Sequence, residues 1–181
     1  MKQIKKIALV VLLFWVLAAP GFAGIRGAEW GMSKGQIKEL EGKPEAEEED
    51  RLVYLDDLGG IKTQVVYLFN HREELFSIEY DFHLEQSFMM IALDQFDKIS
   101  QILCATYGPP DGGDSSSDRE KRLGMLAMER PLVESWDRDR TTSISHTLGP
   151  DKVYRHLLVY GHRALTDEYK AFCEQKQKEK F

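Results

Sequence analysis

Two cysteines, no block of basic residues and no apolar run of membrane-spanning length are the first features of this chain, and each shortage closes a class of function. Cys104 and Cys173 stand far apart and no C-x-x-C occurs, so neither a dithiol redox motif nor a cysteine zinc site is written here. The formal net charge of −6 without a lysine- or arginine-rich stretch argues against holding phosphate backbones or lying on an anionic membrane by charge. The apolar run Ile7–Ala19 has thirteen residues, fewer than the ~20 a spanning helix needs. Catalytic motifs are equally scarce. Only "GMSKG", Gly31 to Gly35, fits a hydrolase pattern, G-x-S-x-G.

The short apolar run has a different meaning. Lys2, Lys5 and Lys6 precede it, Pro20 ends it, and Gly21-Phe22-Ala23 places small residues where a signal peptidase reads. Residues 1–23 are expected to be a signal peptide cut between Ala23 and Gly24, giving an exported, periplasmic or secreted chain with no transmembrane segment. An oxidising compartment makes Cys104 and Cys173 candidates for one disulfide. Closing a loop of about 70 residues would contribute ~4 kcal/mol in the chain-entropy account.

Ser33 is better explained as a helix cap than as a nucleophile. With Gln36 it forms the capping box S-x-x-Q; Met32 and Ile37 make the matching hydrophobic staple; Gly42 and Pro44 stop the helix. A nucleophile elbow needs a buried strand just ahead of it, and "GIRGAEW" is too short to supply one. The acidic "PEAEEED" reads as a solvated connection.

Three strand-like segments follow: "RLVYLDD", a Gly59-Gly60 turn, "IKTQVVYLF", and "LFSIEYDF", whose period-two alternation predicts a sheet covered on one side. A helix over 87–107 carries the stripe Met89, Leu93, Phe96, Ile99 and Leu103, ended by Gly108-Pro109-Pro110. "DGGDSSSDREKR" reads as a flexible connection, since Asp111, Asp114 and Asp118 miss the calcium-loop spacing. Residues 118–130 fit neither helix nor strand clearly. "PLVESWD", "TTSISHTL" and "KVYRHLLVY" complete a second set of strands before a C-terminal helix with Tyr169, Phe172 and Cys173 on one face.

Helix, glycine–proline stop and three strands thus occur twice. The predicted class is α+β: two tandem units of one helix on a three-stranded antiparallel sheet, helices on one face. The boundary falls at 107/108, dividing 24–107 from 108–181, or the units merge into one domain over 24–181. "GMSKGQIKELEGKP" resembles the opening helix of the small outer-membrane assembly lipoproteins SmpA/OmlA (BamE), through Gly31, Met32, Ser33, Gln36, Ile37, Leu40, Gly42 and Pro44. "VVYLFNHREELFSIEY" is similar to the strand–turn–strand that follows in those modules, and the tandem order resembles the β-lactamase-inhibitor-protein fold. That resemblance implies binding of other proteins without chemistry. The chain departs from it by having no lipid-attachment cysteine after the apolar run and by its longer second helix.

Among candidate site residues, His146 and His156 fall on consecutive strands. Pairing residue 148 with 154 would set them opposite one another at ~5 Å, half a zinc site without an indicated third ligand. A one-step register change would put Tyr154 in place of His156. Trp136 is a candidate contact residue should it prove exposed. The leading expectation is an exported, non-catalytic module that binds a protein or envelope component, with no cofactor. The alternatives are a small envelope hydrolase or metal-dependent enzyme using His146 and His156, and a module holding a small apolar molecule between sheet and helix.

Overall fold

The computed structural model describes residues 25–82, 89–113, 119–127, 129–150 and 154–179. The expected signal segment and its cleavage bond at Ala23 and Gly24 lie outside them. The described chain is α+β, with one antiparallel eight-stranded sheet and four helices. In chain order these are α1 (Lys34–Glu41), β1 (Ala46–Glu47), β2 (Arg51–Leu58), β3 (Ile61–Phe69), β4 (Leu75–Asp81), α2 (Met89–Tyr107), β5 (Gly112–Gly113), α3 (Arg119–Ala127), β6 (Leu132–Asp137), β7 (Thr142–Pro150), β8 (Tyr154–His162) and α4 (Arg163–Lys178). Strands lie side by side as β1-β2-β3-β4-β8-β7-β6-β5, so β4 and β8 meet mid-sheet.

Local chemistry fixes the ends of α1. Ser33 accepts from the Gln36 amide at 3.4 Å, and the Gln36 side chain accepts from the Ser33 amide at 2.9 Å. Both halves of the capping box are therefore present, and Ser33 is a cap. Gly42, at φ +86°, takes the left-handed exit, its N–H returning to the Lys38 carbonyl at 3.0 Å. Ile37 is buried, whereas Leu40 stays largely exposed. Between β2 and β3, Leu58 pairs with Ile61 across Gly59-Gly60, both at positive φ, which is the two-residue hairpin expected of that dipeptide.

Period-two alternation divides the sheet into two faces. The inner face buries Leu52, Tyr54, Val65, Tyr67, Ile78, Tyr80, Ile144, Leu158, Tyr160 and Trp136 under α1, α2, α3 and the segment around Trp30. The outer face carries Val53, Leu55, Val66, Glu79, Leu157, Val159 and Ser145 and is only partly covered. Burying one side chain of Leu or Phe size contributes roughly 2 kcal/mol, so the inner face supplies most of the stabilisation.

Four expectations need correction. Helices do not all share one face: Arg163, Thr166, Asp167 and Lys170 of α4 line a cleft with Ser77, Glu79, Ser143, Ser145 and Val159, which point outward. That crossing places Cys173 on the opposite side of the sheet from Cys104 of α2, and both thiols are free. With a sheet between them, the ~4–7 Å Cα approach of a disulfide cannot be met. The "flexible" stretch is partly regular: Gly112 and Gly113 pair with Ser135 and Glu134, and residues 119–127 form α3. The rest of that stretch, 114–118, lies outside the described residues. The acidic run likewise contains β1, which pairs with β2 at Ala46↔Val53 and Glu47↔Leu52.

Candidate functional site

Five residues from the inner face and its helical cover meet in a sealed polar network. On β6, alternation that buries Leu132 and Trp136 must also bury Glu134. β7 does the same for His146, and β8 for His156; neither ring has accessible surface. From α2, Ser100 lies within the apolar stripe and donates to Glu134 Oε2. From α3, Arg122, its side chain 9% exposed, pairs with Asp97 of α2 and reaches Glu134 Oε1 at 3.5 Å. Phe96 stacks on His146 at 3.9 Å between centroids, with the Arg122 guanidinium over its ring at 4.9 Å. Phe82 stacks on His156 at 4.3 Å.

The two histidines come together, although not as direct opposites. β7 pairs Pro150 with Tyr154, so His146 lies across from Leu158 and His156 across from Leu148. The offset from the expected register is even, which keeps both rings on the inner face. Their Nε2 atoms are 2.8 Å apart.

Proton placement follows from the partners. His146 Nδ1 lies 3.2 Å from Glu134 Oε2 and carries the hydrogen toward the carboxylate. Its Nε2 then accepts from His156 Nε2–H, leaving His156 Nδ1 as a lone pair with no partner among the described residues. Burial favours this neutral state. Desolvation pushes His156 down to about 2, reinforced by the neighbouring His146. Desolvation also lowers His146, against the opposing pull of Glu134. Burial alone would raise the Glu134 carboxyl, yet hydrogen bonds from His146 and Ser100 and the charge of Arg122 hold it below the ordinary range.

Such an arrangement is poorly suited to chemistry on a substrate. Both rings are fully enclosed, and their facing nitrogens are bonded to each other. A zinc ion at ~2.0–2.1 Å from each would have to displace that bond and would still need further ligands. Among the described residues no group of three His, Cys, Asp or Glu side chains could hold a metal. Ser33 has no part in the network, being engaged at its own helix. Trp136, a contact candidate only if exposed, is 2% exposed and donates from Nε1 to the Gly108 carbonyl at 2.9 Å. It is a core anchor that ties the end of α2 to β6.

The outer face is where surface remains open. Side by side across the ladders run Val53, Val66, Glu79, Val159 and Ser145, and next to them Leu55, Gln64, Asp81, Leu157 and Thr147. Leu55 is 65% exposed, the largest exposure among the bulky apolar residues noted on the surface. Burial pushes the Glu79 carboxyl up, with Arg155 and Arg51 pulling the other way. α4 covers one end of this face through Tyr169 on Phe76 and Phe172 stacked on His71. It buries none of its own residues and leaves a cleft of about 350 Å³ alongside Glu79. Both sheet edges end in two-residue strands, β1 and β5. At Gly113 (φ +100°) a Cβ would meet the Val133 carbonyl oxygen at 2.0 Å, so this edge requires glycine.

Comparison with known proteins adds little to this geometry. The sequence matches no protein-family profile and no curated protein. Among solved structures, the chain is similar to a DUF4309 family protein (YjgB) from Bacillus subtilis subsp. subtilis str. 168, at 12% identity over 72% of this chain and 78% of that one, with a TM-score of 0.40. Among the described residues no helix is long and apolar enough to cross a membrane.

Sequence reasoning found His146 and His156 but missed Glu134, Ser100 and Arg122. Two of these were signalled. Glu134 alternates with Leu132 and Trp136, and Ser100 falls four residues after Phe96 and three before Leu103. Arg122 lies in the stretch whose apolar spacing is ambiguous.

Proposed function

We propose that the protein is an exported, non-catalytic binding module, made of two tandem helix-plus-sheet units in the manner of the β-lactamase-inhibitor-protein and BamE-like modules. Its ligand is another protein of the cell envelope. The strand order supports the tandem reading, since β1 to β4 and β5 to β8 form two antiparallel runs that join at β4 and β8. The observation that carries the binding reading is the outer face: exposed Leu55 and half-buried Val53, Val66 and Leu157 lie in neighbouring rows beside Glu79 and Asp81. Apolar surface interrupted by carboxylates suits a partner that presents an apolar segment flanked by lysine or arginine. The short edge strands favour docking on the face over strand addition. The histidines offer the enzymatic alternative no access to a substrate.

The test is photocrosslinking in intact cells from positions 53 and 64, the cross-strand partners of Val66 and Leu55. The expected result is one protein captured from both positions and lost when Leu55→Asp and Val66→Asp are introduced together. Capture should persist with Ile91→Asp, an exposed position on α2 across the sheet. Equal capture by the doubly substituted chain, or loss with Ile91→Asp alone, would overturn the reading.

A further inference from the structure

The inner half of the sheet under α2 and α3 holds two imidazoles that can share one proton without penalty and have no place for another. In the neutral pair a single hydrogen lies between the two Nε2 atoms, 2.8 Å apart, and a second satisfies Glu134 from His146 Nδ1. The basic position left is His156 Nδ1, fully enclosed and, among the described residues, without an acceptor for the hydrogen it would gain. A proton there makes a buried imidazolium with an unpaired N–H. Entry at His146 Nε2 instead makes both facing atoms donors at contact distance. Either outcome is costly in a low-dielectric setting.

Relief has a direction. Charged and titratable groups face the pair from each element packed on it. β6 brings Glu134 and β7 brings His146. α2 brings Asp97 at the far side of Arg122, with the Ser100 hydroxyl closer in, and α3 brings Arg122 itself. Just past the end of β4 the contact is the Phe82 ring, which carries no charge. Glu134 is already occupied by Ser100, Arg122 and His146 and lies beyond His146 from His156. Water is therefore the remaining source of stabilisation for a second proton, and the helical cover excludes it. That cover is the weaker part of the fold. The first half of α2 and α3 close a small apolar cluster of Ala92, Leu93, Phe96, Leu126, Leu132 and Leu148. Ile99 and Leu103, farther along α2, belong to the large cluster shared with β2–β4.

We propose that the His146–His156 pair is an acid latch, in which uptake of a proton at the pair releases α3 and the first half of α2 from β6–β8 and exposes the Leu93/Phe96/Leu126 cluster. β2–β4 and α1 remain folded. The chemistry is a single protonation that breaks no covalent bond. Two further histidines among the described residues act elsewhere: His71 stacks on Phe172, and His162 caps α4 by accepting from the Leu165 amide.

Amide hydrogen exchange on the whole folded protein, corrected for the intrinsic pH dependence, tests the latch between pH 7.5 and 5. Residues 89–96 and 119–127 should lose protection by about tenfold per pH unit once the pH falls below ~6.5, as one proton taken up on opening requires. Residues 61–69 should hold theirs. In His156→Gln the amide can still donate to His146 Nε2 but cannot be protonated in this range, and the pH dependence at 89–96 and 119–127 should weaken. Three results would overturn the latch: pH-independent protection in the natural chain, equal loss across β2–β4, or an unchanged slope in His156→Gln. Should that variant fail to fold, nitrogen-15 spectra of the natural protein decide the matter. His156 Nδ1 must become protonated as the amides open, and an Nδ1 that stays bare through the opening refutes the proposal.

Discussion

The two halves of the inner sheet face are built on different principles. Over β2–β4 the face is apolar and aromatic, with Leu52, Tyr54, Val65, Tyr67 and Ile78 packed together. Its ionic group, Arg26 with Glu41, stays at the rim, where the guanidinium grips the carboxylate at 2.9 and 2.8 Å and Tyr67 adds its hydroxyl. That grip, opposed by partial burial and reinforced by Tyr67, holds the Glu41 carboxyl below its usual range. Over β6–β8 the charged and polar groups lie inside the face, between its apolar residues. The difference shows that one sheet can carry two kinds of interior. In the first, shape complementarity sets stability; in the second, every member of a hydrogen-bond chain must be present.

Breaking the chain is the harshest test of that contrast. Glu134→Ala should cost about 3 kcal/mol in urea unfolding, because Arg122 and His146 keep their hydrogens and lose the carboxylate between them. Loss below 1 kcal/mol would mean that the second half is held by packing alone. Acid separates the halves next. The folded state keeps His156 neutral down to about pH 2, whereas an unfolded imidazole takes a proton near 6.5. Its contribution is intact above about pH 6.5 and declines as the pH falls, by ~2 kcal/mol at pH 5. Denaturant midpoints measured at pH 7 and pH 5 should show this decline, and His156→Gln should reduce it. Glu134, held low, loses its own contribution only at more acidic pH. Smaller effects belong to the first half. Ser33→Ala removes the cap of α1 and should cost ~1 kcal/mol, equally at both pH values. Cys104→Ser with Cys173→Ser should shift stability by less than about 0.5 kcal/mol, and oxidant should leave monomer mobility on gels unchanged.

How far the sequence foretells this contrast depends on the range of the interactions. Capping is a matter of four residues, so Ser33, Gln36 and the Gly42 stop are readable in isolation. Strand segments were readable through alternation, and Tyr80 and Phe82 fall where period two places them. Register and facing were not. The pairing of Pro150 with Tyr154 depends on how one turn closes, and the side taken by α4 depends on which sheet face the other helices leave free. The expected disulfide failed for that second reason, since spacing along the chain says nothing about which side of a sheet a helix crosses. Trp136 was a contact candidate only if exposed, and its burial, with the indole bonded to the Gly108 carbonyl, was not readable from composition. Glu134 was legible by pattern, but its partner Arg122 lies in a segment without clear periodicity.

One feature of the topology bears on how the molecule is made. The central ladder joins β4 to β8, and Ser77 hydrogen-bonds the Tyr160 carbonyl 83 residues farther along the chain. An emerging polypeptide that has completed β4 therefore displays a long, naked backbone rim of alternating Ile78, Tyr80 and polar residues until β8, the last of the described strands, arrives. That interval is the time of greatest danger from sticking to neighbouring copies, and closure across so many residues is slow. Truncation anywhere before β8 would leave the rim permanently uncapped, so a chain cut short should collect in aggregates instead of surviving as a smaller soluble protein.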